Sequence, residues 1–129
     1  DEFMYANSGA YYPAVRQLEA LPAGSQVRLM WEPRAYYCPD HVTCRPDVLF
    51  DYWARPLVLG ATADEAFADF RAQGDDYLLL FHTGFELYST YSAYVEQDAL
   101  FLPALERWMT PVWSDNVRYT LYTWRTDVP

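Results

Sequence analysis

Apolar residues in the first part of the chain recur at helical intervals. They lie three or four positions apart at Tyr11, Ala14, Val15, Leu18 and Leu21. This spacing predicts a helix over residues 11–21. Ser8 is a suitable N-cap, and Pro13 is tolerated only in a first turn. The Pro22-Ala23-Gly24 sequence is typical of a helix end.

Two unbroken apolar runs predict buried strands. The first covers residues 27–31 and stops at Pro33, because proline cannot donate to a sheet ladder. The second covers residues 77–81, with turn residues on both sides, as expected for a strand covered on both faces. Between them, Thr62 and Glu65 form a capping box that opens a helix ending near Gly74.

The remaining elements are shorter. Pro46 and Asp47 predict a short helix over residues 46–53, and apolar spacing predicts another over 100–108. Residues 84–94 are rich in Tyr, Ser and Thr, and we expect a loop or an irregular helix there. Residues 110–113 and 117–124 flank the turn sequence Ser114-Asp115-Asn116 and predict an antiparallel hairpin.

Helices alternating with strands predict an α/β fold. We expect a three-layer arrangement: a mixed sheet of about four to five strands, helices on its faces, and the antiparallel hairpin at its C-terminal end. Residues 1–129 form a single domain on this interpretation. Residues 1–8 would be the linker edge of a longer membrane protein.

Composition and charge narrow the possible functions. Hydrophobic residues make up 52% of the chain and aromatic residues 19%, which favours a packed core over disorder. The formal net charge is −9, and all basic residues are arginine. Such an acidic chain repels phosphate backbones, so nucleic acid is an improbable partner.

Cys38 and Cys44 are six positions apart. A disulfide closing a small loop is the favoured interpretation, and it implies an oxidising compartment. Two unpaired thiols remain an alternative, as does a metal site that includes His41, although zinc normally takes four ligands. The chain has no run of about 20 apolar residues and no export signal. A disulfide without an export signal predicts a piece cut from a longer precursor.

Candidate site residues lie where the two buried strands end. Glu32 and Arg34 follow the first strand, and His82 follows the second, at the edge where open α/β sheets bind ligands. Glu32 is a candidate general base or sugar-binding group, or else the partner of an arginine in an ion pair. His82 is a candidate acid–base group, or else a structural residue with its hydrogen bonds satisfied.

The further candidate residues are aromatic or acidic. Tyr36 and Tyr37, with Trp31 and Trp53, are expected around the cysteine loop, where they would stack on sugars or simply pack. Asp75-Asp76 resembles a paired-carboxylate motif but is expected to be a solvated turn. The chain has no glycine-rich phosphate loop, no HExxH and no Gly-x-Ser-x-Gly, so we assign no catalytic residue, metal site or cofactor.

A family resemblance rests on three segments: residues 21–38 with their Trp-Glu-Pro-Arg core, Pro46-Asp47 before Trp53, and residues 74–79. Together they resemble the C-terminal soluble domain of bacterial membrane glycosyltransferases of family 39, which are related to protein O-mannosyltransferases and have a GT-C type fold. The resemblance covers roughly residues 11–124.

The resemblance implies an extracytoplasmic domain attached to transmembrane helices. In that family the catalytic acids lie in an early loop between transmembrane helices, which has no counterpart in this chain. The metal ion and the polyprenyl-phosphate sugar donor would engage that membrane part. The partner expected for this domain is therefore the membrane-embedded part of the same polypeptide, with the glycan or polyprenyl-phosphate sugar acceptor system as a further candidate.

Three functions follow as hypotheses. The first is a non-catalytic accessory domain that supports the membrane catalytic domain or acceptor binding. The second is a carbohydrate or small-ligand binding module, with Glu32, Tyr36, Tyr37 and His82 at the sheet edge. The third is a small hydrolase or transferase, which requires Glu32 and His82 to reach one shared ligand position.

Overall fold

The computed structural model describes residues 11–35 and 38–127. The Ser8 cap and the linker at residues 1–8 lie outside these ranges. The elements, in chain order, are α1 (Tyr11–Glu19), β1 (Gln26–Met30), β2 (Thr43–Pro46), α2 (Ala54–Val58), α3 (Ala63–Ala72), β3 (Tyr77–Phe81), α4 (His82–Tyr91), α5 (Val95–Asp98), α6 (Phe101–Trp108), β4 (Met109–Ser114) and β5 (Tyr119–Trp124).

The strands form one five-stranded mixed sheet in the order β2-β1-β3-β5-β4. β1 pairs in parallel with both β2 and β3, whereas β5 is antiparallel to β3 and to β4. The prediction of an α/β fold with a mixed sheet and an antiparallel hairpin at one edge is confirmed. The sequence did not indicate β2, a four-residue edge strand that has no fully buried residue.

Helices cover both faces of the sheet. Val27 and Leu29 point to the face covered by α1, where they join Leu18 and Leu121 in one buried cluster. The next residues along each strand point to the other face, under α3 and α6, where Met30, Leu78, Phe67 and Phe101 share a second cluster. The alternation of side chains along each strand therefore builds two cores, one on each side of the sheet.

Aromatic residues fill the second core. Trp31 and Trp53 are 1% and 0% exposed, and both pack edge-on against Phe101 at centroid distances of 4.8 and 5.1 Å. These two tryptophans are core residues. They lie on the sheet face opposite to Cys38 and Cys44, which pack against the α1 cluster. The expectation that they surround the cysteine loop is wrong.

The prediction of a helix over residues 46–53 is also wrong. Pro46 ends β2, and α2 begins only at Ala54. The carboxylate of Asp47 is fully buried and accepts hydrogen bonds from the backbone N–H groups of Trp31, Asp51 and Tyr52. Asp47 therefore organises a compact turn, as side chains of this type often do.

Residues 82–91 form a regular helix, α4, where the composition had suggested a loop or an irregular helix. Gly84 allows this helix to sit against the end of β1. A Cβ atom at Gly84 would lie 2.5 Å from the carbonyl oxygen of Trp31, so another residue there would clash with backbone. The capping box of Thr62 and Glu65 is present as predicted, at the start of α3. Within the described ranges no helix has both the length and the apolar character needed to cross a bilayer.

Candidate functional site

Glu32 lies directly after β1 and is fully buried. Its Oε1 accepts hydrogen bonds from the backbone N–H of Arg34, at 2.9 Å, and from Nε of Arg34, at 2.8 Å. Its Oε2 accepts from Nη2 of Arg34, at 2.9 Å, and from the hydroxyl of Tyr119. A carboxylate offers about four acceptor positions, so these four hydrogen bonds saturate Glu32. The predicted ion pair between Glu32 and an arginine is confirmed, and the arginine is Arg34.

The guanidinium group of Arg34 is the exposed half of this pair. Its side chain is 44% exposed, and Nη2 also donates to the Tyr119 hydroxyl at 2.7 Å. The guanidinium carbon lies 5.6 Å from the centre of the Phe81 ring, which in turn stacks on Tyr119. The hydrogen bond to Glu32 holds the pKa of Arg34 above its ordinary value. The arginine is therefore a fixed cation at the sheet edge.

His82 begins α4 and bonds to a different partner. Its Nε2 lies 2.7 Å from the hydroxyl of Thr120, which also contacts the hydroxyl of Ser114 at 2.9 Å. Burial lowers the pKa of His82, because the imidazolium form loses hydration. The imidazole is thus held in a small network of hydroxyl groups. This agrees with the alternative that His82 is a structural residue with its hydrogen bonds satisfied.

The structure does not bring Glu32 and His82 to a shared ligand position. Although β1 and β3 are neighbours, as the site hypothesis requires, Glu32 bonds to Tyr119 and His82 to Thr120. Consecutive residues of a strand point to opposite faces of the sheet. The two side chains are therefore held on opposite sides of β5, which argues against the hydrolase hypothesis.

Tyr36 and Tyr37, the other predicted site residues, lie outside the described ranges. The cysteines that follow them form a disulfide, with an S–S distance of 2.08 Å and a Cα–Cα distance of 6.4 Å. The favoured interpretation of the cysteine pair is confirmed. Cys44 belongs to β2 and pairs with Val27 of β1, so the disulfide fastens the connection between the two strands to the sheet edge.

A second buried ion pair was missed. Arg28, in the middle of β1, is 4% exposed and donates from Nε to Asp75 and from Nη2 to Gln73, the latter at 2.7 Å. Asp75 is 4% exposed and also lies 3.6 Å from Arg45. The expectation that Asp75-Asp76 is a solvated turn is wrong for Asp75. An arginine inside an apolar strand was the available signal, because a buried charge requires a partner.

The guanidinium of Arg28 is sandwiched between two aromatic rings. Its central carbon lies 4.8 Å from the Tyr52 ring centre and 4.3 Å from that of Phe70. These residues form the inner wall of a pocket of about 540 Å³ between α2, α3 and the turn before α2. Sequence patterns gave no direct indication of this pocket, because its wall combines Arg28 with residues from two distant stretches of the chain, 46–59 and 69–73.

Two buried carboxyl groups lie near the second core. Burial and the neighbouring carboxylate of Asp47 together raise the pKa of Asp98 to about 6, against a hydrogen bond with Ser92 that lowers it. Burial likewise raises the pKa of Asp47 to about 6, against three backbone hydrogen bonds that lower it. Asp98 is 2% exposed, and its Oδ1 has no hydrogen-bond partner among the described residues.

No group of three or more His, Cys, Asp or Glu side chains in the described ranges is arranged to hold a metal ion. Comparison with protein-family models, with curated proteins and with solved structures returned no match to this chain. The site must therefore be interpreted from its own geometry. All acceptor positions of the Glu32 carboxylate are occupied, His82 is hydrogen-bonded to Thr120, and Arg34 is fixed and half exposed.

Proposed function

We propose that this chain is a non-catalytic extracytoplasmic accessory domain of a membrane glycosyltransferase-like protein. Its role is to support the membrane-embedded catalytic part of the same polypeptide, or to help hold the acceptor. The observation that carries the proposal is the saturation of Glu32. Four internal hydrogen bonds occupy its carboxylate, so the acid that directly follows β1 has no lone pair left for a substrate.

The proposed compartment is supported by the disulfide between Cys38 and Cys44, because such bonds persist in oxidising environments and are rare in the cytosol. The proposed parent is supported by the resemblance of residues 21–38, 46–53 and 74–79 to the tails of family 39 glycosyltransferases. On this proposal the gene encodes several hydrophobic membrane spans before Asp1. The sugar donor and the metal ion engage that membrane part.

The proposal is tested with membranes that contain the complete gene product. Transfer of sugar from a polyprenyl-phosphate donor is measured for the wild type, for Glu32→Gln and for a deletion of residues 11–127. We expect the amount of transfer per folded protein to be unchanged in Glu32→Gln, and transfer to be lost or strongly reduced in the deletion. Sugar transfer by the 129-residue chain alone, or abolition of transfer in a folded Glu32→Gln protein, would overturn the proposal.

One observation favours the second candidate, a carbohydrate or small-ligand binding module at the sheet edge near Glu32 and His82. Arg34 remains 44% exposed although its guanidinium is held by Glu32 and Tyr119, so this edge presents a positively charged group to solvent. Thermal unfolding of the 129-residue chain with mannose, glucose and galactose tests this role. A sugar-dependent rise in Tm that disappears in Arg34→Met supports binding at this edge, and no rise in Tm argues against it.

A further inference from the structure

Exposed apolar side chains lie together on α4 and α5. Leu87 is 53% exposed and Tyr91 is 80% exposed, and because they are four positions apart on α4, they share one side of that helix. Tyr94 and Val95, 40% and 41% exposed, lie at the start of α5, which packs against α4. We call these four residues the apolar patch. Single exposed apolar residues are ordinary on protein surfaces, but a group of this kind is typical of an interaction surface.

The backbone beneath the apolar patch is held by internal contacts. Gly84 seats α4 against the backbone of Trp31. In the connection to α5, the N–H of Ser92 donates to the carbonyl oxygen of Tyr88 at 3.1 Å, and the N–H of Tyr94 donates to the hydroxyl oxygen of Ser92 at 3.0 Å. A surface held in this way loses little conformational entropy when a partner binds.

Two carboxylates border the apolar patch. Glu86 and Glu96 are exposed and are sequence neighbours of patch residues. In the part of the chain that the structure describes, neither side chain has a hydrogen bond or an ion pair. No Lys or Arg occurs in residues 72–106. The basic residue of this stretch is His82, and burial lowers its pKa, which favours the neutral imidazole.

Arginines on the neighbouring elements are already paired. Helix α2 packs against α5, and its Arg55 lies 3.8 Å from Asp51. Arg107, in the last turn of α6, lies 3.0 Å from Asp64. The surface formed by α4 and α5 therefore combines an apolar centre with uncompensated negative charge. Such a surface attracts a partner that carries positive charge.

A groove of about 250 Å³ adjoins Glu96. Leu57 and Leu100 provide apolar walls, and Thr62 and Gln97 provide polar ones. The groove is smaller than the roughly 300 Å³ at which small-molecule sites begin, so it suits one long side chain of a larger partner. A Lys or Arg side chain can lay its aliphatic stem along the leucines and direct its charge to Glu96, as these side chains do on other apolar surfaces.

The charges argue against two other occupants. A second copy of this chain also has a net charge of −9, and at least six of its nine arginines are paired with carboxylates of their own chain. It therefore has few cations to offer. An anionic bilayer is repelled by Glu86 and Glu96, which border the patch.

We propose that the apolar patch and its two carboxylates bind a basic amphipathic segment of a separate polypeptide. Large apolar side chains of that segment pack on Leu87 and Tyr91, and one of its Lys or Arg residues pairs with Glu96. This inference goes beyond the accessory role and does not rest on it, because its evidence is the exposure and charge of α4 and α5.

The test uses the 129-residue chain and a phage-displayed library of random peptides of about 16 residues, long enough to form a helix. Enriched peptides are synthesised, and their Kd is measured by fluorescence anisotropy. The double variant Leu87→Ser, Tyr91→Ser removes apolar surface, and Glu96→Lys reverses one charge. The matched controls are Val117→Ser, at a 70% exposed position in the hairpin turn, and Asp40→Lys, at an exposed position in the disulfide loop.

We expect enriched peptides to carry a net positive charge and large apolar residues at helical spacing. They should bind the double variant and Glu96→Lys about tenfold more weakly than the wild type, and both controls like the wild type. The inference is overturned if no peptide is enriched, if enriched peptides are neutral or acidic, or if their binding is insensitive to either test variant.

Phosphatidylglycerol vesicles and self-association are measured in parallel, by co-sedimentation and by analytical ultracentrifugation. We expect neither to depend on the apolar patch. Vesicle binding that the double variant Leu87→Ser, Tyr91→Ser abolishes, without peptide binding, would overturn the inference and assign the patch to a bilayer. Self-association that the same variant abolishes, without peptide binding, would overturn it in favour of a second copy.

Discussion

The hydroxyl of Tyr119 donates a hydrogen bond to the carboxylate of Glu32, which lies 87 positions earlier in the chain. This bond joins the start of β5 to the end of β1 across the intervening strand β3. It also places an acid from the first third of the chain inside a network completed by the last strand. Glu32 therefore links β1 to β5 at this edge of the sheet, and its replacement should lower the free energy of unfolding.

Glu32→Gln is expected to lower the free energy of unfolding by about 3 kcal/mol, since the amide keeps one acceptor oxygen, turns an NH2 group toward the donors that faced the other oxygen, and leaves the charge of Arg34 unbalanced. Tyr119→Phe removes one of the four hydrogen bonds to Glu32 and the hydrogen bond that Arg34 donates to the hydroxyl, and it should cost about 1.5 kcal/mol. Urea unfolding at neutral pH measures both values. Glu86→Gln is the control: this exposed residue should change stability by less than about 0.5 kcal/mol. If Glu32→Gln and the wild type had equal free energies of unfolding, the hydrogen bonds of Glu32 would not stabilise the fold as we expect.

Gly84→Ala tests the close approach of α4 to β1. The added Cβ would lie 2.5 Å from the carbonyl oxygen of Trp31, and backbone cannot move aside as a flexible side chain can. We expect a loss of about 2–3 kcal/mol in the free energy of unfolding, measured by urea titration. Thr83→Ala is exposed and lies in the same helix turn, so it should be nearly neutral. A neutral Gly84→Ala would show that α4 does not contact β1 in this way.

These two sites illustrate what the sequence could and could not predict. The strands 27–31 and 77–81 were evident because unbroken apolar runs have few other interpretations. The helix α4 was not evident, because its stability depends on the contact of Gly84 with Trp31 and not on the composition of the segment. Likewise, residues 46–53 carry helix-start signals, but the buried carboxylate of Asp47 uses the backbone N–H groups in a turn.

The candidate site was predictable only in part. Glu32 and His82 were expected at one sheet edge, and the strands that carry them are neighbours. The Glu32 and His82 side chains are separated because one bonds to Tyr119 and the other to Thr120. The alternation of side chains along β5 was visible in the sequence. The register of β5 against β3 was not. The pocket could not be foreseen, because Arg28, Tyr52 and Phe70 come together only in the folded chain.

Asp98 should make stability depend on pH. Burial raises its pKa to about 6, so the folded state holds its proton at a higher pH than the unfolded chain does. The free energy of unfolding should therefore rise as the pH falls from about 6 toward about 4. Asp98→Asn removes the charge and should stabilise the protein at pH 7.5 by about 1–2 kcal/mol, with the advantage vanishing near pH 4.

The measurement for Asp98 is urea unfolding of the wild type and the variant between pH 4 and pH 8. Asp47 titrates in the same window and interacts with Asp98, so the difference between the two proteins reports the charge of Asp98 together with its effect on Asp47. Asp40→Asn, at an exposed position, should change stability little at pH 7.5. An Asp98→Asn protein that is less stable than the wild type at pH 7.5 would show that the carboxylate is needed in its charged form.

The disulfide should contribute measurably to stability. In the chain-entropy account, closing the short loop between Cys38 and Cys44 is worth about 2 kcal/mol. The double variant Cys38→Ser, Cys44→Ser should lose this amount in urea unfolding, and dithiothreitol should destabilise the wild type but not the variant. Identical unfolding of the wild type with and without dithiothreitol would contradict a structural role for the bond.

The central claim is that this domain folds outside the cytosol. It is tested most directly by inserting a reporter after Pro129 in the complete gene product and expressing the fusion in bacterial cells. Alkaline phosphatase is active only after export, and ordinary green fluorescent protein fluoresces only in the cytosol. The account predicts an active phosphatase fusion and a dark fluorescent-protein fusion. A bright fluorescent-protein fusion with inactive phosphatase would contradict it.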